Sequence, residues 1–253
     1  MALEGKHALI SGSSRGIGRG IALKLAETGV KVAIHYYQNE RAANDTLAQV
    51  RNRGSDGFVV QADVTRPEPI TEMFRKVQGE FGKLDIFVSN ARPDLPGFYR
   101  RPLDITLEQW HMALDSQAQA FLLGAQESAR LMRDGGRILA ITYSPGGRTG
   151  SWQPWVAMGA AKAAMESLVR YFAVALALRG ITVNGISPGP IATEMNVPIQ
   201  QNPEANQQFI AKIPLGRWGK PEEIGSLAVY LCSEEASFIT GTDFLIDGGW
   251  TAQ

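Results

Sequence analysis

The sequence predicts a single-domain α/β protein with a Rossmann-type architecture, in which helices cover both faces of a doubly wound, seven-stranded parallel sheet. Three observations lead to this fold class. Short apolar runs alternate with longer segments of helical period along the 253-residue chain. A glycine-rich turn follows the first apolar run. The sequence holds no repeat, low-complexity tract or Gly-, Ser- or Pro-rich linker, so residues 1–253 are interpreted as one domain.

The strands are predicted from apolar runs of four to six residues that stand between helical segments. Such runs are typical of strands buried on both faces of a parallel sheet. In chain order they lie at residues 7–11, 31–36, 57–61, 84–89, 137–142, 182–186 and 243–246.

The helices are predicted from apolar periodicity and from residues that begin or end a helix. The first places Ile17, Ile21 and Leu25 on one face. Another starts at Thr106, where Gln109 follows in a pattern close to a capping box. The predicted helices span residues 16–28, 39–53, 67–81, 106–132, 154–178 and 221–233.

Composition and charge exclude several classes of function. The 25 basic and 25 acidic side chains cancel, which gives no bulk electrostatic basis for binding nucleic acid or an anionic membrane. No apolar stretch approaches the length of a spanning helix. The single cysteine, Cys232, forms no intrachain disulfide and fits a reducing, cytoplasmic compartment. His7, His35 and His111 stand apart without ligand spacing, so we expect no metal site.

The segment between the first strand and the first helix predicts a dinucleotide site. Its glycines permit a tight turn, close approach of a pyrophosphate and close helix–strand packing, and the amides at the helix start favour phosphate. Without further motifs the same segment would be an ordinary turn. The residues predicted to contact the cofactor here are Gly12, Ser14, Arg15, Gly16, Ile17 and Gly18.

The end of the second strand favours NADP(H) over NAD(H). A carboxylate there would bind the adenine ribose 2′-hydroxyl and repel a 2′-phosphate, but none occurs in residues 35–39, before Glu40. Arg15 lies in the glycine turn and Arg41 is near, and an arginine fork suits phosphate oxygens. NAD(H) stays the alternative, with Arg15 as a solvated loop charge.

The motifs together resemble the short-chain dehydrogenase/reductase family over essentially the whole chain. They are Gly12-x3-Gly16-x-Gly18, Ala62-Asp63-Val64, Ser89-Asn90-Ala91, Gly136-Arg137-Ile138, Ile181-Thr182-Val183-Asn184, Ser187-Pro188-Gly189 and Leu245-Ile246-Asp247-Gly248-Gly249. The resemblance implies a nicotinamide dinucleotide, with the aspartate near adenine. The further cofactor contacts that it implies are Tyr36, Asp63, Val64, Asn90, Ala91, Lys162, Pro188, Gly189, Ile191 and Thr193.

The catalytic positions depart from the usual family set of Asn, Ser, Tyr and Lys. Lys162 matches the lysine, but Met158 stands four residues earlier, where the family has tyrosine. The serine position falls on Tyr143 and the asparagine position falls near Gln117. Because a thioether has no proton to donate, the usual carbonyl-reductase mechanism cannot run unchanged at position 158.

The residues around Lys162 resemble one branch of the family, the bacterial enoyl-acyl-carrier-protein reductases. That branch uses Tyr-x6-Lys, and this spacing falls on Trp155. Some members carry a second tyrosine at the end of the fifth strand, which Tyr143 matches. The resemblance implies a role in fatty acid biosynthesis and a homotetramer with contacts through the C-terminal strand and Trp250.

The leading hypothesis is an NADPH-dependent reductase of an enoyl or oxoacyl thioester, free or carried on acyl carrier protein. Tyr143 would donate a hydrogen bond or proton to the substrate oxygen, and Lys162 would hold the nicotinamide ribose. Ser144 and Thr142 are further candidate donors. In the alternative, Tyr143 is a wall residue.

The substrate pocket is predicted to include Arg92, Trp155, Met158 and Met195. Trp155 fits the core equally well, and packing is the favoured role of Met158. Residues 193–213 are predicted to form a lid whose apolar side chains suit an acyl chain, although its prolines and glutamines also permit a disordered loop.

Two rival functions remain open. The first is a 3-oxoacyl or other carbonyl reductase. The second is a non-catalytic NADP(H)-binding sensor or scaffold that kept the fold without the tyrosine.

Overall fold

Seven parallel strands form one sheet in the computed structural model, which describes residues 3–93, 100–143 and 154–252. The strands are β1 (His7–Ile10), β2 (Lys31–Tyr36), β3 (Gly57–Gln61), β4 (Ile86–Ser89), β5 (Arg137–Ile141), β6 (Thr182–Pro188) and β7 (Asp243–Ile246). Their order is β3-β2-β1-β4-β5-β6-β7. The order reverses between β1 and β4, and ligands of doubly wound sheets bind at such a switch point.

The helices lie between the strands, as the alternating pattern predicts. They are α1 (Gly16–Ala26), α2 (Glu40–Arg51), α3 (Pro67–Phe81), α4 (Leu107–Leu114), α5 (Ala120–Leu131), α6 (Val156–Leu176), α7 (Val197–Gln200), α8 (Pro203–Ile210) and α9 (Pro221–Cys232). The predicted doubly wound α/β fold is thereby confirmed, since one sheet holds all seven strands.

The long helix predicted over residues 106–132 is interrupted. It begins as predicted, because Thr106 Oγ1 accepts a 3.2 Å bond from the Gln109 amide and a capping box forms. Between α4 and α5, however, Asp115–Gln119 form a π-helical turn. Such turns widen a helix locally and occur often at functional sites. Ser116 lies in this turn and reaches the cavity described below.

Two apolar layers hold the helices to the sheet. One face of the sheet packs on α1, α2 and α9, through side chains such as Ile10, Ile34 and Ile224. The other face packs on α3, α5 and α6, through side chains such as Phe74, Phe87 and Phe121. All of these side chains are fully or almost fully buried. Burying both faces of the parallel sheet leaves its carboxyl edge as the place for a ligand.

The segment predicted as a lid, residues 193–213, is largely helical. It contains a 3₁₀ turn over Glu194–Asn196, followed by α7 and α8. Its base is fixed beside β6, because the Ala192 amide donates to Gly219 O at 2.8 Å and the Gly219 amide donates to Pro190 O at 2.9 Å.

Candidate active site

A cavity of about 1220 Å³ opens at the carboxyl ends of β1 and β4. Pockets for drug-sized ligands measure roughly 300–1,000 Å³, so this larger cavity has room for an extended dinucleotide together with a second small molecule. Most residues predicted to contact the cofactor line it, namely Gly12, Ser14, Arg15, Gly16, Ile17, Tyr36, Asp63, Val64, Asn90, Ala91, Lys162, Pro188, Gly189, Ile191 and Thr193.

The glycine turn is shaped by contacts that exclude a side chain. Gly12 has φ +66°, and a Cβ on it would lie 2.7 Å from Ala91 Cα. Gly18 does not belong to the described cavity lining, but a Cβ there would lie 2.4 Å from Gly12 O and 2.6 Å from Asn90 Nδ2. The two positions therefore require glycine for backbone packing between β1, α1 and the end of β4.

The amides nearest β1 are already engaged. The Gly12 amide donates to His35 Nδ1 at 2.7 Å, and the Ser13 amide donates to His35 O at 3.1 Å. His35 Nε2 lies 3.1 Å from Ala62 O. Since Nδ1 accepts a hydrogen bond, the imidazole is neutral with its proton on Nε2. Burial lowers the pKa of His35 to about 4, in agreement with the neutral form.

Donors for a diphosphate must therefore come from further along the turn, at the start of α1. Arg15 occupies the cap position, and its side chain makes no capping bond to the helix amides. The amides of Gly16, Ile17 and Gly18 are in the first turn and have no acceptor within the helix. Gly16 lines the cavity, and a Cβ on it would make an ordinary contact with Thr193 at 3.6 Å. The geometry fits a dinucleotide diphosphate.

The turn after β4 is tied to the turn after β1. Asn90 Nδ2 donates to Ser11 O at 2.9 Å and to Gly12 O at 3.1 Å. Ser11 Oγ accepts from the amides of Asn90 and Ala91 at 2.9 and 3.0 Å. These bonds fix the floor of the cavity at the switch point.

The end of β2 forms the other wall of the turn. Tyr36, Tyr37, Gln38 and Asn39 line the cavity there, together with Arg15. None of these five side chains carries a negative charge. Arg41, the second arginine considered from sequence, is not among the described lining residues.

Lys162 lies at the inner end of the cavity and is almost completely buried. Its Nζ donates to Ile141 O at 2.6 Å. Burial, followed by the positive charge of Arg92, lowers the pKa of Lys162 to about 7, while the carboxylates of Asp243 and Glu166 act in the opposite direction. The ammonium is therefore close to titration at neutral pH.

The ring of Trp155 is in contact with two polar side chains, those of Tyr143 and Arg92. The ring of Tyr143 lies 4.5 Å from it between centroids, at an angle of 54°. The Arg92 guanidinium carbon lies 5.9 Å from its centroid, and Arg92 Nη2 is 2.6 Å from Met195 Sδ. All four residues line the cavity, so the structure brings together three of the predicted substrate-pocket residues with the predicted donor, Tyr143.

The other predicted residues are placed differently. Met158 is fully buried in a cluster with Trp155 and is not among the described lining residues, so its proposed place in the pocket is corrected to packing. Thr142 lines the cavity, but its hydroxyl is engaged with Ser187 Oγ at 2.5 Å and Asp243 Oδ1 at 3.0 Å. Ser144 lies outside the described residues.

Sequence reasoning missed several cavity residues. His35 was counted in the carboxylate-free end of the second strand and rejected as a metal ligand, but its bond to the glycine turn was not predicted. Ser116 reaches the cavity through the π-helical turn. An aromatic wall of Phe209, Trp218 and Trp250 closes another part of the cavity. Phe209 belongs to the predicted lid and Trp250 was expected at a subunit contact, whereas Trp218 was not predicted. Phe209 stacks on Trp218 at 4.4 Å with an interplanar angle of 3° and lies 5.2 Å from Trp250. No local sequence signal marks the contacts of Trp218 and Trp250 with Phe209, because they form only when the chain folds.

Two other kinds of site are not seen in the part of the chain that the structure describes. Its helices include none with both the length and the apolar character needed to cross a membrane. Its histidine, cysteine, aspartate and glutamate side chains form no group of three able to hold a metal ion.

Comparison with known proteins gives one family match. Residues 12–251 match a family model described as enoyl-(acyl carrier protein) reductase. The 1-cyclohexenylcarbonyl-CoA reductase of Streptomyces collinus is 37% identical over 96% of this chain and 85% of its own length. The 3-oxoacyl-[acyl-carrier-protein] reductase of Synechocystis is 36% identical over 98% of both chains.

The fold is also similar to that of a solved structure. The RhlG/NADP active-site complex of Pseudomonas aeruginosa superposes with a TM-score of 0.91 at 30% identity, over 99% of this chain and 98% of that one.

Proposed function

The chain belongs to the short-chain dehydrogenase/reductase family, a family of oxidoreductases, and we propose that it uses NADP(H) to reduce the conjugated double bond of an enoyl thioester. One observation carries the proposal. A single cavity joins the glycine turn and the start of α1 to an inner end that holds Tyr143, Trp155 and Lys162. The similarity to the Streptomyces collinus reductase, whose name describes an enoyl thioester substrate, supports this substrate class.

The preference for NADP(H) rests on the adenosine end of the cavity. Arg15 lines it, and the neighbouring side chains from Tyr36 to Asn39 carry no carboxylate that would repel a 2′-phosphate. The guanidinium can pair with phosphate oxygens through two hydrogen bonds. The related solved structure with NADP supports the same choice.

The side chains of the protein position the cofactor and stabilise the charge that develops on the substrate. Lys162 Nζ donates to Ile141 O at 2.6 Å and lies 3.7 Å from Met165 Sδ, which leaves one N–H of the ammonium for a nicotinamide ribose hydroxyl. Tyr143 donates to the carbonyl oxygen of the substrate as that oxygen gains charge. When bound, the reduced nicotinamide supplies the hydride.

The segment 193–213 serves as the substrate lid in this proposal. Met195, Ile199 and Phe209 from it line the cavity and offer apolar surface to an acyl chain. The acyl group reaches the site on coenzyme A or on acyl carrier protein. We further propose a cytoplasmic homotetramer, in which the exposed Leu245 and Phe238 near the C-terminal strand are covered by a second subunit.

The alternative reaction is reduction of a 3-oxoacyl thioester, which the similarity to the Synechocystis reductase favours. The oxidation of NADPH with crotonyl-CoA and with acetoacetyl-CoA separates the two reactions. A larger kcat/KM for crotonyl-CoA supports the proposal, and a larger value for acetoacetyl-CoA supports the alternative.

The third function is cofactor binding without catalysis, and Met158 at the family's tyrosine position favours it. Tight NADPH binding without turnover of either thioester would establish this function. Where turnover occurs, Tyr143→Phe tests the donor, and an unchanged kcat in that variant would reject the role given to Tyr143.

A further inference from the structure

The inner end of the cavity lacks an obvious acid at the position where the family has tyrosine. Met158 stands there and is fully buried. A carbonyl oxygen that gains negative charge needs hydrogen-bond donors aimed at it. The question is which described side chains have donors for that oxygen.

Most polar groups near this end are committed to the protein itself. The Asn90 amide is given to Ser11 O and Gly12 O. The Thr142 hydroxyl is buried beside Ser187 and Asp243. The Ser116 hydroxyl is within 3.4 Å of Ala113 O and accepts from Gln117 Nε2 at 3.2 Å. These groups hold the loops together rather than offering protons to a ligand.

Arg92 and Tyr143 line the same cavity as these groups and are set apart by their shared contact with Trp155. Their contacts to the indole ring measure 5.9 Å for the guanidinium carbon and 4.5 Å between ring centroids. Met195 touches Arg92 from the lid segment. Two donors of different chemistry thus share the buried Trp155 as one aromatic platform in the cavity, with Arg92 on its solvent-exposed side.

The two donors are not equivalent in charge. A guanidinium is protonated at any working pH and presents five N–H groups in a planar fork. Its field reaches the buried Lys162, whose pKa it helps to lower. Since Lys162 loses much of its charge near neutral pH, Arg92 is the permanent cation at this end of the cavity.

We propose that Arg92 is a catalytic residue that hydrogen-bonds the thioester carbonyl oxygen and neutralises the charge formed there, with Tyr143 as the second donor. The inference rests on the proposed function and adds a cationic oxyanion site to it. In the reduction, a hydride adds to the β-carbon, the double-bond electrons move to form an enolate oxygen, and the α-carbon then takes a proton from water. NADPH is oxidised to NADP⁺ and the enoyl group becomes saturated.

Kinetics of matched variants give the first test. Arg92→Gln removes the charge and most of the fork, Arg92→Lys keeps the charge, and Arg101→Gln is the control, since Arg101 is exposed and pairs with Asp104 outside the cavity. Removal of one oxyanion donor costs about 10²–10³-fold in kcat. We expect that loss in Arg92→Gln, a smaller loss in Arg92→Lys and none in Arg101→Gln. A raised KM with unchanged kcat would instead mean ground-state binding and would overturn the proposal.

A binding measurement tests Arg92 without turnover. The complex with NADP⁺ is titrated with 4-nitrophenol, whose phenolate absorbs visible light, and competition with crotonyl-CoA identifies the site. We expect wild-type protein to bind the phenolate at least ~10-fold more tightly than Arg92→Gln does, because a hydrogen bond to a charged group contributes about 1.5–3 kcal/mol to binding. Equal phenolate binding in the two proteins would reject the oxyanion role.

The two experiments fail separately. If wild-type protein reduces neither thioester, the proposed function is wrong, while phenolate binding still decides whether Arg92 forms an oxyanion site. If wild-type protein reduces crotonyl-CoA and Arg92→Gln does so equally well, only the role of Arg92 is lost. NADPH affinity and circular dichroism, expected to be unchanged in every variant, exclude a folding or cofactor defect.

Discussion

The Gly12 amide donates to His35 Nδ1 across 2.7 Å, and this bond ties the cofactor turn to the second strand. On its other side the imidazole contacts Ala62 O at 3.1 Å, at the end of the third strand. The Ser13 hydroxyl adds a further link, because it accepts from the His35 amide at 3.0 Å and donates to Ile10 O at 2.7 Å. The neutral imidazole thus holds the ends of three strands and the turn in register.

The first prediction is that His35 makes stability fall in weakly acidic solution. Its pKa is about 4 in the folded chain, against 6.5 for the free side chain. The unfolded chain therefore takes up a proton first, so the stabilising contribution is complete above pH 6.5 and is lost as the pH falls to 4. The shift corresponds to roughly 3 kcal/mol over this window. Urea unfolding between pH 7 and pH 4.5 measures it.

The matched variant is His35→Gln, which keeps one donor and one acceptor but does not titrate. We expect its free energy of unfolding to fall less than that of the wild type over the same pH range. Other titrating groups are common to both proteins and cancel in the comparison. Parallel pH profiles for the two proteins would show that His35 is not the titrating group.

The second prediction concerns the glycine that packs under the cofactor turn. Gly18→Ala places a Cβ 2.4 Å from Gly12 O, so the turn must shift. Overpacking of this kind costs about 1–3 kcal/mol, and we expect roughly a tenfold or greater loss of NADPH affinity. Calorimetric titration with NADPH measures the loss.

Gly79→Ala is the control for that variant. Gly79 lies within α3, and a Cβ there would have no described atom within 4 Å. We expect unchanged NADPH affinity and a gain of about 0.5–1 kcal/mol in stability from the better helix former. If Gly18→Ala binds NADPH as well as Gly79→Ala does, the turn is not held by the contact with Gly12.

The sequence was sufficient for the architecture because local pattern and tertiary structure agree there. The apolar runs that predicted strands 31–36, 57–61 and 243–246 occupy those residues in the structure. The interruption of helix 106–132 could not be read from sequence. A π-helical turn at Asp115–Gln119 depends on the buried contacts of Ser116 and Gln117, which include the bond from Gln117 Nε2 to Ala91 O at 3.2 Å.

The candidate site likewise has one part that could be predicted from the sequence and one part that could not. The glycine turn has a local pattern, and it lines the cavity at the position where the sequence places it. The inner end has none, because Arg92, Tyr143 and Trp155 meet only through folding. Side-chain contacts also separate Trp155, which lines the cavity, from Met158, which is buried, although the two stand three residues apart.

The third prediction is that Lys162 weakens the fold near neutral pH. Its pKa is about 7 in the folded chain and 10.5 for the free side chain, so the unfolded chain binds the extra proton between these values. Stability therefore rises with pH from 7 toward 10.5. We expect Lys162→Met, which removes this cost, to be more stable than the wild type at pH 8 by on the order of 2 kcal/mol, and to bind NADPH less tightly. Urea unfolding of the two proteins at pH 8 measures the difference, and a less stable Lys162→Met would contradict the prediction.

The titration itself can be observed by NMR of protein labelled with ¹³C at the lysine ε-carbon. The resonance missing from Lys162→Met identifies the residue. We expect a midpoint near pH 7 in the wild type. In Arg92→Gln the midpoint should move to higher pH, because the guanidinium charge that opposes the ammonium is gone while Asp243 and Glu166 remain. A midpoint that does not move would show that Arg92 and Lys162 are electrostatically independent.

The fourth prediction tests the cofactor preference at Arg15. A hydrogen bond to a charged group contributes about 1.5–3 kcal/mol, so Arg15→Gln should weaken NADPH binding roughly 10- to 100-fold. NADH has no 2′-phosphate, and its affinity should change by less than about twofold. Fluorescence titration with both nucleotides measures the two affinities. Arg41→Gln is the control, because Arg41 is not among the described lining residues of the cavity. An equal loss for NADPH and NADH would place Arg15 on the diphosphate, which both nucleotides share, and the basis for preferring NADP(H) would be gone.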